Sequence, residues 1–245
     1  MSSISSAANQ QPSKGLWAHM APYVVPPVAA SLAIVVVFRD MVAKSALQRG
    51  QSVPAMTLME SMKGGIKAAP TVGAIVGSQM IIQSAFEKVI VGESNTPSLF
   101  STLVSSSVVG TASAPVLAVF NGQTMGWTIR ESLRRFSVKQ AVVISLQESA
   151  FVGGLSAADQ LAVVMRERLG DNKVVDYVAA FTAGAAGSLA GHPANTALTR
   201  WQSGMTVDKV HQLMWGSLRK ARGVGGFSVA YKFAKEIFNA TFPSA

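Results

Sequence analysis

Cysteine is absent from the 245 residues, which excludes disulfides, a thiolate metal site and a cysteine nucleophile. Charge is the next shortage: 13% of the residues are Lys, Arg, Asp or Glu, about half the usual share. The hydrophobic content, 49%, is ordinary for a soluble protein, so the informative feature is depletion of charge. Acids are scarcer than bases, 12 against 21, and the net charge is +9. A nucleic-acid binder clusters its bases on one folded domain with exposed aromatics. Here the bases fall between apolar runs, and no nucleic-acid partner is expected. Residues 1–20 carry Lys14 as their one charged side chain. They lack the apolar centre of a secretory signal and the arginines of a mitochondrial presequence. They are expected to form a polar tail, with any import signal lying further in. His19, His192 and His211 are too scattered for a metal site, and no nucleophile–base–acid set is present, so neither catalysis nor a cofactor is expected.

What the chain does contain is a series of weakly charged runs. The stretch Ala183–Gln202, A-G-A-A-G-S-L-A-G-H-P-A-N-T-A-L-T-R-W-Q, places small residues four apart, Gly184 with Ser188 and Gly187 with Gly191. In lipid that spacing lets helix backbones approach closely, because packing must supply the attraction that water supplies elsewhere. Pro193 then kinks the helix, and Arg200 and Gln202 mark its polar exit. Six segments are long enough to cross a bilayer, which takes about 20 residues: 21–38, 68–86, 99–125, 140–165, 177–199 and 221–242. Glu148 and Asp159 interrupt the fourth, and Lys232, Lys235 and Glu236 the sixth. Such weak segments are stable only beside one another, so an all-α membrane bundle is implied.

The loops alternate in charge. Arg39, Lys44, Arg49, Lys63 and Lys67 lie between segments one and two. Arg130, Arg134, Arg135 and Lys139 follow segment three, and Arg200, Lys209, Arg219, Lys220 and Arg222 follow segment five. These odd-to-even loops and their edges hold 14 of the 21 bases. Basic loops stay on the side of insertion, so these three share one face and both termini lie on the other.

The chain also repeats. Pro115 and Pro193 are 78 residues apart, each beginning a polar exit that ends in glutamine, Gln123 and Gln202. Phe38 lies 77 before Pro115 and opens F-R-D-M-V-A-K-S-A-L-Q, with Asp40, Lys44 and Gln48 but no proline. Lys67, Ile144 and Arg222 each fall 29 residues after these landmarks. Each odd-to-even loop offers a short surface helix, beginning at Ser52 and Pro54, at Thr128-x-x-Glu131, and at Thr206. Three units, 21–93, 94–173 and 174–245, then account for the chain beyond the tail.

The exit P-A-N-T-A-L-T-R-W-Q, and R-G-V-G-G-F-S-V-A-Y-K-F-A-K-E in segment six, resemble the mitochondrial carrier family. Its odd helices end in P-x-[D/E]-x-x-[K/R]-x-[K/R]-x-Q. The resemblance implies six transmembrane helices in three pseudo-symmetric two-helix repeats, in the mitochondrial inner membrane, with the termini in the intermembrane space. Cardiolipin at the basic matrix face is an implied lipid partner. The departures concern mechanism. In the family the motif acid and base pair between helices as a gate. Here the acidic positions hold Asn195 and Leu117, the basic ones Leu198 and Phe120, and Asp40 remains with Lys44 displaced by one residue.

On that resemblance Arg222 matches a substrate contact, with Lys67 and Ile144 at its symmetry mates. Arg222 and Lys67 either attract an anion within a cavity or snorkel from helix ends. Glu148 is either a cation or proton site or the partner of a basic neighbour such as Lys67 or Arg222. Gln48, Gln123 and Gln202 match the family's glutamine braces or satisfy helix ends. Pro70, Pro115 and Pro193 are expected to be kinks, and Gly223-x-Gly225-Gly226 to be close packing rather than a phosphate loop. Two functions of different class follow: a carrier of a small, anionic metabolite, or a carrier-fold subunit that no longer transports and docks in a large inner-membrane complex.

Overall fold

The computed structural model describes residues 16–92, 98–124 and 128–242. Among them the chain is helical, without strands: α1 (Leu16–Gln48), α2 (Leu58–Val91), α3 (Leu99–Thr124), α4 (Ile129–Arg135), α5 (Val138–Ser156), α6 (Ala158–Leu169), α7 (Lys173–Ala190), α8 (His192–Gln202) and α9 (Ser217–Thr241), with a 3-10 turn at Val210–Met214. Helices α1 (from Met20), α2 and α3 (to Val119) are long and apolar enough to cross a membrane. The pairs α5–α6 and α7–α8 qualify as well if each is one bent span. Leu32, Val36, Val89, Phe100, Leu103 and Val116 are large, apolar and exposed. In a protein lacking any hydrocarbon solvent such faces would be unfavourable; in a membrane protein they meet lipid.

The long elements pack in sequence order. Helix α1 lies on α2, α2 on α3, α3 on α5, and α5 on α7; α7 then packs on α9, which returns to α1. The contacts are close because small residues line them. A side chain at Gly77 would meet the Pro27 Cα at 2.5 Å. One at Gly187 would collide with the Ala150 carbonyl and lie 2.8 Å from the Gly154 Cα. One at Gly184 would collide with the Ser228 hydroxyl. The small-residue run of Ala183–Gly191 thus seats α7 against α5 on one side and α9 on the other. Ala29, Ala30, Ala33 and Val37 of α1 form the main apolar cluster with Val76, Leu155, Phe227 and Tyr231.

Several boundaries differ from the sequence expectation. No separate surface helix precedes the second span. Residues 51–57 are non-helical, and Thr57 caps α2 itself, accepting from the Glu60 amide at 3.2 Å while the Thr57 amide donates to the Glu60 carboxylate at 2.8 Å. From there α2 runs unbroken past Pro70, which faces outward. Pro115 likewise sits on the exposed face of an unbroken α3. Neither proline interrupts its helix, because only the one missing donor is lost and the ring points away from neighbours. Pro193 behaves as expected: α7 and α8 meet at 52°, with Pro193 in the first turn of α8, where its missing N–H is no loss. A second bend, 43° between α5 and α6 at Ala157, needs no proline. The other expected surface helices are present as α4, whose cap Thr128 accepts from the Glu131 amide at 3.2 Å, and as the 3-10 turn.

Replacing Gly187 with Leu forces α7 away from α5. Overpacking of this kind costs about 1–3 kcal/mol, so Gly187→Leu should lower the thermal unfolding midpoint in detergent. An unchanged midpoint would contradict the close α5–α7 contact.

Candidate functional site

A cavity of about 890 Å³ opens at the end of the bundle opposite the basic loops. Its wall is built from the first turns of α1 (Tyr23, Pro26), the last turns of α2 (Ser84, Glu87, Lys88), the α5–α6 junction (Ser156, Asp159) and the second half of α9 (Tyr231, Lys232, Lys235). Helix α9 points one stripe inward, Lys220, Val224, Phe227, Tyr231 and Ala234, at the three-to-four spacing of a helix face. The cavity charges balance: Glu87, Asp159 and Glu236 against Lys88, Lys232 and Lys235. Two of them are joined across the space, Lys232 donating to Asp159 at 2.8 Å. The sixth-segment bases noted in the sequence therefore find an acid, on α6.

Beyond the cavity the interior is closed by a hydrogen-bonded polar joint. Asn195 on α8 is its hub. Its carbonyl accepts from Lys44 at 3.0 Å and from Gln48 at 2.8 Å, and its amide donates to Gln147 at 2.6 Å. Gln147 in turn donates to Glu148 at 2.7 Å, and Gln79 of α2 donates to the other Glu148 oxygen at 3.1 Å. Gln48 also donates to Thr196 at 2.9 Å and accepts from Thr199 at 3.2 Å. Arg200 donates to the Gln48 carbonyl at 3.3 Å and to the Thr206 carbonyl at 2.9 Å. His192, fully buried, lies 3.0 Å from the Trp215 carbonyl and 3.2 Å from the Thr196 hydroxyl. These contacts tie α1, α2, α5 and α8 together.

The expected site residues separate into three groups. Lys44, Gln48, Glu148, Asn195 and Arg200 meet in the joint. Asp40 and Arg222 pair with each other at its edge, Nε to carboxylate 3.0 Å, with Arg219 3.5 Å from the same acid. Arg222 is exposed and Lys67 faces outward, so neither lines the cavity. Of the two readings open for them, the cavity position is not the one they occupy; α9 turns Lys220 and Val224 inward instead, and the face of α2 that carries Lys67 points away. Ile144 is buried against Ala114, Leu117 and Leu198 in the wall. Glu148, expected to be either a cation or proton site or the partner of a base such as Lys67 or Arg222, is held by Gln79 and Gln147. Pro115 is exposed, and Pro193 and Gln202 are partly buried. The side chain of Gln123 lies outside the described residues.

Sequence reasoning missed Gln79, Gln147, Thr196 and Lys220 as interior groups, and Asp159 as the exposed partner of Lys232 at the cavity. The inward stripe of α9 was the signal available for Lys220. Among the described residues no three His, Asp or Glu side chains gather where a metal ion could bind. No protein-family model matches the chain, and no curated protein matches it in sequence. The fold and site define an all-helical protein with several membrane-competent helices, a one-ended cavity and a polar joint closing the other end.

Gln48→Ala leaves Asn195, Thr196 and Thr199 each short of a partner. Each keeps another partner, Lys44, His192 and the Asn195 backbone carbonyl, so the loss is of net hydrogen bonds worth about 0.5–1.5 kcal/mol each, and the variant should unfold at a clearly lower temperature. Gln202, which makes no side-chain hydrogen bond among the described residues, should tolerate Ala within about 0.5 kcal/mol. Equal effects of the two would contradict the joint.

Proposed function

We propose that this chain is a carrier-like protein of the mitochondrial inner membrane that moves a small metabolite through the central cavity. In this reading α1, α2, α3, α5–α6, α7–α8 and α9 are six spans in three two-helix units, with the basic end in the matrix and the termini in the intermembrane space. The observation that carries it is the combination of a cavity open at one end with a polar seal at the other, the arrangement an alternating-access carrier requires. The packing of each long element on its sequence neighbour, with α9 returning to α1, supports the bundle topology. The basic-loop bias supports the orientation. An anionic solute is favoured by the surplus of positive charge, +9 over the chain, which draws anions toward the protein. The cavity lining itself is balanced, so carboxylate and ammonium groups would both meet the solute.

One observation favours a second reading, a carrier-fold subunit held in a large inner-membrane complex. The seal is made of amides and hydroxyls around Asn195 rather than of paired acids and bases. Lys44, Glu148 and Arg200 lie in this joint but each is held by amides or carbonyls, so no acid–base pair is present to exchange partners as a moving gate does.

Purified protein in liposomes should exchange at least one labelled solute from a panel of small anions, nucleotides and amino acids. Ser84→Phe, which adds a ring to the cavity wall, should reduce that exchange about tenfold or more if the blocked pose costs 1.4 kcal/mol. No exchange of any solute, together with migration only as part of a much larger assembly in native detergent extracts, would favour the second reading and end the first.

A further inference from the structure

Lys220 is 6% exposed, and yet its ammonium donates no hydrogen bond and makes no ion pair among the described residues, only its backbone amide donating, to the Gly216 carbonyl. It stands at the head of the inward stripe of α9, eight residues and about two turns beyond Ser228 at the cavity wall. The start of α9 lies directly on α1 here, a side chain at Gly216 meeting the Lys44 carbonyl at 3.0 Å and one at Gly223 the Asp40 Cβ at 3.1 Å, which sets Lys220 beside Lys44, with Glu148 of α5 in electrostatic range of both. His192 of α8 faces the same two lysines. From α2 comes the neutral Gln79. Lys44 spends one donor on Asn195. Glu148, 6% exposed, accepts from two glutamine amides and is in direct contact with neither lysine.

The charges do not cancel. Two ammonium groups face one carboxylate, an excess of one positive charge among the amides and hydroxyls of the joint. An uncompensated charge in such a place is unfavourable, and an anion supplied to it removes the penalty. The Arg222 side chain cannot be the counterion and Asp40 is already engaged outside the stripe by Arg222 and Arg219.

We propose that Lys220 and Lys44 together bind one small monovalent anion, chloride or a short carboxylate, between α9, α1 and α5. The anion takes the free Lys220 donors, bridges to Lys44, and leaves Glu148 on its glutamine amides. Its place is distinct from the cavity, whose lining includes neither lysine. Once seated it fastens α9 to a joint that otherwise ties only α1, α2, α5 and α8, so the basic end is locked by an exchangeable ion. This assignment does not depend on the transport reading.

The test is thermal unfolding of the purified full chain in detergent, with chloride replacing gluconate at constant ionic strength. Wild type should be stabilised saturably, as a ligand that binds only the folded state requires. K220M should lose that dependence, with an apparent affinity weakened about tenfold or more, and should exceed wild type in gluconate alone. E148Q raises the excess to two charges and should tighten chloride about tenfold, a readout that survives if K220M fails to fold. No stabilisation of wild type by chloride, acetate or phosphate overturns the proposal. An unchanged response in K220M, or in E148Q, does so as well.

Discussion

Asn195 makes three hydrogen bonds at once, accepting from Lys44 and Gln48 and donating to Gln147, and the interior is organised around them. A carboxamide suits this position because it offers both an acceptor and a donor. A carboxylate could still receive Lys44 and Gln48 but could not donate to Gln147, and it would add a charge to a region that must be largely desolvated. In a bundle surrounded by lipid there is no water at the outer surface to rescue an unmatched group. Buried polar groups are therefore best answered from within the chain, and the run Gln79, Glu148, Gln147, Asn195, Gln48, Thr196 links them in series, leaving Gln79 Oε1 and His192 Nδ1 without a partner among the described residues.

The second organising constraint is distance between backbones. Gly77 against Pro27, Gly187 against Gly154 and Gly184 against Ser228 bring helix pairs close enough for dispersion forces alone to hold them. The bends serve the same end. By turning at Ala157 and Gly191, α5–α6 and α7–α8 stay in contact along their length while their halves diverge. The 43° break leaves Ser156 and Asp159 on the cavity wall, whereas the 52° break carries His192 and Asn195 into the joint.

Much of this was legible in the residues. The small-residue run, the turn before Pro193 and the cap at Thr128 all follow from spacing and side-chain chemistry, whereas the meeting of Lys44, Gln48 and Asn195 does not. Rotation about a helix axis was harder. Lys220 and Arg222 are two residues apart on α9, about 200° around the helix, so a small error of register exchanges the inward base for the outward one. A landmark counted from Pro193 fixes position along the chain but not that angle; the stripe Lys220, Val224, Phe227, Tyr231 fixes it. The bend at Ala157 was hidden for a different reason. Only Gly153 and Gly154 precede it, and paired glycines are equally compatible with a straight, closely packed helix, which is the use α7 makes of Gly154.

The unbroken α2 has a mechanical consequence. Its 34 residues make a rod about 51 Å long, whereas a helix inclined about 20° crosses the hydrocarbon layer with about 21 residues. Roughly a dozen residues of surplus must project, by the same rise per residue. With Thr57 fixing the start and Lys63 and Lys67 exposed near it, the overhang falls at the basic end. Leu58, Met59 and Ile66 are exposed along it, so the projecting turns are shaped to rest among lipid headgroups and to brace the bundle against rocking on that side.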